Sequence, residues 1–510
     1  MSRFSDYLQK TFSFSSTEAE DIIEAMKKPI GKSIRVNTQK IALEDFKLHA
    51  KEQDWSLTDT DIPEVFLIDR EDTSMALWNT LEHVAGWFYI QEVAAAMPPH
   101  LLRREVAMLK NKNQTPRKDD KNSSLSISSL AFGLIIDMCA APGGKTTQLA
   151  DYFPESLIIA NEVNRTRTPQ LFDNLDRMGY DNIAVISCDG RFFQNFPDFF
   201  DAVLLDAPCS GEGTAFRDSS VIDHWHEKNI DRIAKLQKQL FETAEVIVKP
   251  GGFLSYSTCT LNIMENEEVL DSRLNTEEPQ LTELFRKRFW PHIEHTGGFF
   301  ASIFEKITPF LKGSSDKFTA SNEGWSLSGG DRKTEWTEGD LWKNKTSVSS
   351  ELTAPSKRSS QYPLLAQKGQ KNLIVNPATK GEWEIVERFV SKYLKTKLKD
   401  GFLYLSKDGV YFNQKNLGPL ADYFYFVHAG MRIGTIKGNS FTPTHHLFWC
   451  LENTENISVL QLSLEQWTAI QNNKKPVFEV TDGYYALSYG RGVVGVCSVE
   501  KWTLVTKAFQ

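Results

Sequence analysis

Two cysteines stand directly after short apolar runs and carry the most chemical information in this sequence. Cys209 follows the run 200–207, and Cys259 follows the run 251–258. Apolar and β-branched residues in both runs predict short buried strands that end at turn residues. In a parallel arrangement both thiols would lie at the carboxyl ends of the strands, where open α/β sheets build their sites. Two thiols at such an edge predict covalent catalysis, in which one sulfur attacks and the other assists.

A second chemical feature is the segment 137–146, Asp-Met-Cys-Ala-Ala-Pro-Gly-Gly-Lys-Thr, which follows a predicted strand and opens a predicted helix. Its glycines let a ligand approach the backbone, and the free N–H groups of a helix N-terminus attract an anion. A phosphate-binding loop of an NTPase would need glycine where Cys139 stands, and the dinucleotide pattern G-x-G-x-x-G is absent. The pattern therefore favours a nucleoside ligand that has no pyrophosphate.

Three acidic residues follow further strands of the same predicted sheet. Glu162 ends the second strand, where an acid binds a ribose diol. Asp189 ends the third strand, within expected reach of an adenine amino group, and Asp206 ends the fourth. Helix capping is the alternative role for such acids. S-adenosylmethionine has the matching adenine, ribose and amino-acid groups and no phosphate, so we predict it as the cofactor.

The elements that position these residues alternate between strand and helix. Strands are predicted at 133–137, 157–160, 183–187, 202–205 and 253–257, and helices at 146–152, 168–178 and 230–248. This alternation predicts an α/β fold with a parallel, doubly wound sheet. The residues 249–252 are expected to form the turn that ends the last helix.

Composition bounds the class of protein. With 510 residues, 41% hydrophobic and 24% charged, the chain is expected to be globular and to have several domains. A formal net charge of −8 excludes a uniformly basic nucleic-acid binder, although 103–121 and 356–400 are locally basic and suit either phosphate contact or a solvated surface. No apolar run approaches the roughly 20 residues of a membrane span, so no membrane partner and a cytoplasmic location are expected. Six scattered cysteines without a C-x-x-C spacing predict neither a disulfide framework nor a metal site.

Changes in composition predict four parts. They are an α+β segment at 1–85, the α/β core at 86–310 with a polar insert at 106–130 expected to be a long loop, a linker or insert at 311–380, and a C-terminal region at 381–510. In the C-terminal region a helix is predicted at 383–394 and a hairpin at 402–412, followed by short strands typical of a small β-barrel. The aromatic run 423–426 is interpreted as core.

Three stretches of this sequence resemble the motifs of the RNA cytosine-5 methyltransferases, also called Nol/Nop/Sun proteins. They are the segment 137–146, the segment 204–213 (Leu-Leu-Asp-Ala-Pro-Cys-Ser-Gly-Glu-Gly), and the segment 256–260 (Tyr-Ser-Thr-Cys-Thr) with Glu265-Asn-Glu267. They occur in the family's order, and the resemblance extends over 85–305. It implies a Rossmann-like methyltransferase core that uses S-adenosylmethionine and a C-terminal PUA-like RNA-binding module. The extended C-terminal half resembles members that methylate a decoding-region cytidine of 16S rRNA. A monomeric enzyme that acts on 16S rRNA in the small ribosomal subunit, without a metal, is therefore expected.

The resemblance also implies a role for each matched residue. The expected cofactor-binding residues are Cys139, Ala140, Ala141, Pro142, Gly143, Gly144, Lys145, Glu162, Asp189 and Asp206. For catalysis the resemblance implies Cys259 as the nucleophile that adds to C6 of cytosine and Cys209 as the group that assists release. A proton or hydrogen bond at N3 would stabilise the charge that enters the ring, and we predict Asp206 beside the base for that role. Enzymes that methylate cytosine in DNA attack from the Pro-Cys position instead, which keeps Cys209 as the alternative nucleophile.

Three other functions are compatible with parts of this pattern. A tRNA methyltransferase of the same family would carry the same motifs. A non-catalytic RNA-binding assembly factor would have no need of two thiols, and an NTPase would need the missing glycine. In the preferred interpretation the target base must be unpaired or flipped out, because a base inside a helix cannot reach either thiol.

Overall fold

The computed structural model describes residues 3–113, 133–308, 375–407, 409–421, 423–472, 474, 476–500 and 503–505. Its helices are α1 Arg3–Phe12, α2 Ser16–Lys27, α3 Leu43–Glu52, α4 Leu81–Val84, α5 Val93–Asn113, α6 Gly144–Tyr152, α7 Thr168–Met178, α8 Ser220–Asp223, α9 Glu227–Ile247, α10 Glu267–Leu274, α11 Pro291–Glu294, α12 Lys380–Phe389 and α13 Leu464–Gln471.

The strands belong to four sheets. Those of the N-terminal sheet are β1 Ser33–Val36, β2 Trp55–Asp59, β3 Val65–Arg70 and β4 Phe88–Ile90. Those of the central region are β5 Leu134–Asp137, β6 Leu157–Asn161, β7 Ile183–Ile186, β8 Phe200–Asp206, β9 Val248–Thr258, β10 Leu281–Phe289 and β11 Phe299–Lys306. Those of the C-terminal region are β12 Asn376–Pro377, β13 Phe402–Leu405, β14 Val410–Asn413, β15 His428–Ala429, β16 Met431–Lys437, β17 Ser440–Pro443, β18 Val459–Leu462, β19 Gly483–Tyr489, β20 Gly492–Glu500 and β21 Thr503–Val505.

The central sheet has the order β10-β11-β9-β8-β5-β6-β7-β15 over the residues that the structure describes. Strands β5 to β9 pair in parallel, whereas β10, β11 and β15 run antiparallel to their neighbours. Strand β5 lies between β6 and β8, so the direction of winding reverses there. The predicted doubly wound parallel sheet is therefore confirmed, and each of the five predicted strands overlaps an observed one.

The parallel strands form because they bury apolar side chains on both faces of the sheet. Ile135, Ile158 and Ala202 belong to one hydrophobic cluster, whereas Ile136 and Val203, their neighbours along the chain, belong to the other. Successive side chains of a strand point to opposite faces, so a strand covered on both sides is apolar at every position. This is why short uninterrupted apolar runs were sufficient to locate the strands.

The end of α9 differs from the expected turn at 249–252. The helix ends at Ile247 and β9 begins at once with Val248. Val248 pairs with Phe200 and Phe253 pairs with Ala202, so the four residues between them bulge out of the ladder. Gly251 adopts φ +75° within this bulge, a conformation that glycine tolerates without steric cost.

The polar insert begins with helix rather than loop. The expected long loop at 106–130 is wrong over 106–113, because α5 continues to Asn113. Leu102 and Val106 are buried against the central sheet, and their packing extends the helix into the polar stretch. The rest of that insert, and the linker up to residue 374, lie outside the described residues.

The C-terminal strands differ from the single small barrel expected from the sequence. They form a five-stranded sheet, β12-β13-β14-β16-β17, and a four-stranded sheet, β18-β19-β20-β21. The predicted hairpin is confirmed by the antiparallel pairing of β13 with β14. Between the hairpin and β16 the chain supplies β15, which pairs with β7 and extends the central sheet. This part of the C-terminal region is therefore built into the core.

Further contacts join the C-terminal region to the rest of the molecule. The Phe424 ring lies 5.1 Å from that of Phe196, and Phe426 is buried in the same cluster with Tyr423 packed against it, so the interpretation as core is confirmed for these three residues of the run 423–426. Trp87 of the N-terminal domain is fully buried and donates from Nε1 to the carbonyl of Val493 at 3.0 Å. Within the parts of the chain that the structure describes, no helix combines the length and apolar composition needed to cross a bilayer.

Candidate active site

The predicted catalytic residues meet at the carboxyl edge of the central sheet. Asp206 is the last residue of β8, and Cys259 follows the last residue of the adjacent strand β9. Asp137 ends β5 on the other side of β8. The site therefore lies beside the switch point between β5 and β8, where ligands bind in open α/β sheets.

The two cysteines are in direct contact. Their Sγ atoms are 3.1 Å apart, both are free thiols, and a disulfide would bring them to about 2.05 Å. The hydrogen bond to Cys259, followed by burial, raises the pKa of Cys209 well above its ordinary value. Either thiol can donate in this contact, and the raised pKa of Cys209 favours the protonated form of that thiol.

An ion pair lies beside the thiols. Lys145 donates from Nζ to Asp206 Oδ2 at 2.7 Å, and Ser257 donates to Asp206 Oδ1 at 2.7 Å. Burial would lower the pKa of Lys145, but the Asp206 carboxylate outweighs it and raises that pKa, with a further contribution from Cys259. The ammonium group is therefore charged and interacts with both the carboxylate and the sulfur.

The segment 139–145 forms the connection between β5 and α6. Gly143 adopts φ +102°, which places it in the region that favours glycine. A Cβ on Gly144 would meet Cε1 of Tyr89 at 3.2 Å, so the second glycine allows the N-terminal domain to approach closely. Tyr89 donates from its hydroxyl to the carbonyl of Pro142 at 3.3 Å. The loop is therefore held on one side by the N-terminal domain, which the sequence did not predict.

Asp137 is a further site residue that the sequence analysis did not assign. It is 1% exposed and accepts a hydrogen bond from the Thr146 hydroxyl at 2.7 Å. Burial is the main cause that raises the pKa of Asp137 to about 7, and the nearby Asp206 raises it further. The sequence did contain a signal for this role, because Asp137 is an acidic residue directly after the apolar run Leu134–Ile136.

Replacing Asp137 with asparagine should change how stability depends on pH. Between pH 3.8 and about 7 the folded chain keeps a proton on Asp137 that the unfolded chain has lost. The free energy of unfolding therefore falls as pH rises through this window, by at most about 1.4 kcal/mol per pH unit from this group. Asp137→Asn should remove that contribution, as measured by denaturant unfolding from pH 4.5 to 8. The control Asp189→Asn should retain the contribution of Asp137 to the pH dependence of unfolding. If the free energy of unfolding changes with pH equally in wild type and Asp137→Asn, the raised pKa of Asp137 is contradicted.

Glu162 lies where the sequence placed it, one residue beyond β6. Its carboxylate accepts from the backbone N–H of Ala141 at 3.2 Å and of Asn164 at 2.7 Å, and the residue is 4% exposed. Glu162 thus joins the end of β6 to the loop after β5. The neighbouring Val163 is 53% exposed. An exposed apolar side chain beside a buried acid could pack against one face of a planar base.

Asp189 also has a capping role. It is the N-cap of the short 3-10 helix Gly190–Asn195 and accepts from the backbone N–H of Arg191 at 3.0 Å. The Arg191 guanidinium also donates to it at 2.6 Å, and this hydrogen bond lowers the pKa of Asp189. A contact from Asp189 to a ligand would have to compete with Arg191.

The loop that carries Cys209 is fixed from behind by two buried acids. The carboxylate of Glu265 accepts from the backbone N–H of Ser210 at 2.9 Å, and Asn262 donates to both Glu265 and Glu212 at 2.7 Å. Burial, followed by repulsion from Glu212, raises the pKa of Glu265. The sequence did not predict a structural role for Glu212, which lies in this loop, or for Asn262, because no local pattern marks the polar residues that hold a loop in place.

Close backbone approach connects both cysteine loops to the segment 297–300. Gly213 donates to the carbonyl of Cys259 at 3.0 Å, and Gly298 donates to the carbonyl of Gly213 at 3.0 Å. A Cβ on Gly213 would lie 1.8 Å from the carbonyl oxygen of Gly298. Only glycine fits at position 213, which explains the glycine that ends the motif 204–213.

The two described arginines at the start of the first basic segment do not contribute to this edge. Arg103 of the first basic segment stacks on the Tyr152 ring at 3.6 Å, and Arg104 donates to Glu105 at 2.7 Å, so these arginines take part in packing and ion pairs. Over the described ranges no group of three or more His, Cys, Asp or Glu residues is arranged to hold a metal ion.

Comparison with known proteins yields two family models. Residues 131–305 match the model described as 16S rRNA methyltransferase RsmB/F. Residues 3–93 match the model described as the N-terminal domain of 16S rRNA methyltransferase RsmF.

Curated relatives and a solved structure agree with these matches. The chain is 36% identical over 306 residues to ribosomal RNA small subunit methyltransferase F of Vibrio parahaemolyticus, covering 56% of this chain and 59% of the relative. It is 37% identical over 314 residues to the protein of that name from Pectobacterium atrosepticum, covering 57% and 60%. The alignments thus span about three fifths of the relatives' length. The crystal structure of PH0851 is similar with a TM-score of 0.50 and 27% identity, covering 59% of this chain and 65% of that one.

Proposed function

Because residues 131–305 match the model of 16S rRNA methyltransferase RsmB/F and residues 3–93 match the model of the N-terminal domain of 16S rRNA methyltransferase RsmF, we propose that this chain methylates C5 of a cytidine in 16S rRNA. S-adenosylmethionine is the proposed methyl donor, and a cytidine of the decoding region is the proposed target. The observation that carries the chemical part of this proposal is the contact between Cys209 and Cys259 at the sheet edge.

The two sulfurs suit the problem that cytosine presents. C5 of the ring is too electron-poor to accept a methyl cation equivalent by itself. Addition of the Cys259 thiolate to C6 makes C5 nucleophilic, so one difficult step becomes two easier ones. When bound, S-adenosylmethionine supplies an electrophilic methyl group. Methyl transfer to C5 leaves S-adenosylhomocysteine. A basic group or a water molecule then takes the C5 proton, the C5–C6 double bond forms again, and the electron pair of the breaking S–C6 bond returns to Cys259 as a thiolate. Cys209, in contact with that sulfur, assists this release.

The ion pair assists the same addition. Electrons that flow into the ring from Cys259 accumulate at N3, and a proton on N3 stabilises them. The Asp206 carboxylate, held by Lys145 and Ser257, is placed at the sheet edge to accept a hydrogen bond from protonated N3. The Lys145 ammonium also interacts electrostatically with Cys259, so it would offset the negative charge of the Cys259 thiolate.

The proposed cofactor site uses the loop 139–145 and the acids that follow β6 and β8. Glu162 would bind the ribose diol, and Val163 would cover one face of the adenine. The N-terminus of α6 and Gly144 would face the amino-acid part of the cofactor. Asp189 would reach the adenine amino group only if it leaves Arg191.

We also propose how the parts of the chain share the work. Residues 86–310 form the methyltransferase domain, and residues 1–85 and 381–510 form RNA-binding regions on either side, the second of them PUA-like. The linker 311–380 connects them. The enzyme acts as a cytoplasmic monomer on 16S rRNA in the small subunit, and its target base leaves any helix before reaction.

The function is tested by incubating the purified full chain with S-adenosylmethionine carrying a labelled methyl group. Unmodified 16S rRNA, small subunits and total tRNA are offered separately. The proposal expects the label in 5-methylcytidine of 16S rRNA, at one position that bisulfite sequencing locates. Label in tRNA alone would contradict the substrate, and no 5-methylcytidine in any RNA would contradict the activity.

A further inference from the structure

The N-terminal domain contributes a buried arginine to the cofactor loop. Arg35 lies in β1, where all four residues are buried, and it has an exposed fraction of 0%. Strand β1 belongs to the N-terminal sheet and pairs with β4, whereas the loop 139–145 belongs to the central domain. A side chain from one domain is thus enclosed against the binding loop of another.

Arg35 makes three hydrogen bonds to neutral oxygen atoms. Its Nη2 donates to the carbonyl of Gly144 at 3.2 Å and to the hydroxyl of Thr147 at 2.7 Å. Its Nε donates to Oε1 of Gln91 at 3.0 Å. Gln91 in turn donates to Oε1 of Gln148 at 3.3 Å. The acceptors that α6 offers to Arg35 and Gln91 therefore lie in the first turn of that helix or just beyond it.

The charge of Arg35 is not balanced by a contacting carboxylate. Among the described residues, no ion pair includes Arg35, and its Nη1 is buried without a hydrogen-bond partner. Burial raises the pKa of Asp151 and the charge of Arg35 lowers it, so Arg35 interacts with this carboxyl at longer range. Burial of a charge without a contacting counterion still costs free energy, and apolar residues of similar size are commonly no less stable. Stability alone therefore does not account for an arginine at this position.

Gly144 connects the cofactor loop to two parts of the proposed site, the N-terminus of α6 and the ammonium group of Lys145. Gly144 is the first residue of α6, whose N–H groups are free to face an anion. The next residue, Lys145, reaches Asp206 at 2.7 Å. A bond that fixes the Gly144 carbonyl therefore orients both the start of the helix and the ammonium group beside the thiols.

We propose that Arg35 is a positioning residue through which the N-terminal domain holds the cofactor loop in its binding conformation. In this view the N-terminal domain completes the cofactor site and does more than contact RNA. The inference rests on the proposed function for the identity of the ligand. It predicts that changes at Arg35 weaken cofactor binding more than they affect the fold or the binding of RNA.

The test measures binding of S-adenosylhomocysteine to the full-length protein by calorimetry, which needs no turnover. Arg35→Met should raise the dissociation constant at least tenfold, and Arg35→Lys, which keeps the charge but loses the fork of donors, should fall between it and wild type. The denaturation midpoint of Arg35→Met should be unchanged or higher, and its affinity for 16S rRNA should be unchanged.

Thr38→Ala is the matched control. The Thr38 hydroxyl donates from the N-terminal domain to Asp151 at 3.0 Å, near the far end of the same helix α6. Its loss should leave S-adenosylhomocysteine binding unchanged. In methylation assays Arg35→Lys should raise KM for S-adenosylmethionine while KM for RNA stays constant.

Three outcomes distinguish the inference from the function on which it rests. Arg35→Met and Arg35→Lys that bind S-adenosylhomocysteine as tightly as wild type would overturn the inference and leave the function standing. An equal loss of binding in Thr38→Ala would also overturn it, because any contact between the domains would then suffice. A wild type that binds S-adenosylhomocysteine but methylates no RNA would overturn the proposed function alone.

Discussion

Replacing Cys209 with alanine is expected to leave a stable covalent complex between the protein and its RNA, whereas Cys259→Ala should form none. In the proposed reaction Cys259 bonds to C6, and Cys209, which keeps its proton beside the other sulfur, assists its release. Without Cys209 the methylated adduct forms but does not resolve. Without Cys259 no adduct forms, and methyl transfer should fall by about 10³-fold or more, which corresponds to ~4 kcal/mol of barrier.

Denaturing gels with end-labelled 16S rRNA measure this result, because only a covalent complex survives denaturation. Cys497→Ala is the control, since Cys497 is buried between the N-terminal and C-terminal sheets and away from the sheet edge. It should turn over without accumulating an adduct. An adduct in Cys259→Ala and none in Cys209→Ala would reverse the roles and support the alternative in which the Pro-Cys thiol attacks.

Asp206→Asn is expected to lower kcat by about 10²- to 10³-fold, within the range typical of a lost acid–base group. The change keeps the size of the side chain but removes the charge that holds Lys145 and would stabilise a proton on N3. Lys145 would lose the carboxylate that now lies 2.7 Å away and that offsets the lowering of its pKa by burial. Single-turnover methylation at saturating RNA and S-adenosylmethionine gives the rate of the chemical step.

Ser257→Ala provides the matched control for Asp206. It removes one hydrogen bond of 2.7 Å to the same carboxylate but leaves the charge, so we expect a decrease of about tenfold at most. An Asp206→Asn rate within about threefold of wild type would show that the carboxylate does not act on the base. Equal losses in both variants would indicate that only the position of the carboxylate matters.

The sequence predicted the parallel strands of the central sheet well because each of them contains a short run of apolar residues that is buried on both faces. The helix at 168–178 was predicted with its observed bounds, since Pro169 begins it and Gly179, at φ +69°, ends it. The meeting of Cys209 with Cys259 followed from the same topology, because residues after adjacent parallel strands share one edge. These features depend on local patterns together with one general rule of sheet connectivity.

Other features depend on contacts between distant segments, which no local pattern records. The bond from Arg35 to Gly144 joins residues 109 positions apart, and the pairing of β15 with β7 places His428 opposite Val185. Polar composition at 106–113 suggested a loop, but burial of Val106 under the sheet makes it helical. At Asp189 helix capping was the general alternative to ligand binding, and the bond from the backbone N–H of Arg191 shows that capping occurs.

The most direct measurement of the central claim uses 16S rRNA that contains 5-fluorocytidine. Fluorine at C5 blocks the final proton removal, so the bond between the enzyme and C6 persists after methyl transfer. Digestion and tandem mass spectrometry then identify the residue that carries the nucleotide. We predict a single modified peptide, with the methylated 5-fluorocytidine attached to Cys259. Attachment to Cys209, or methylation of ordinary 16S rRNA with no trapped peptide at all, would contradict the account.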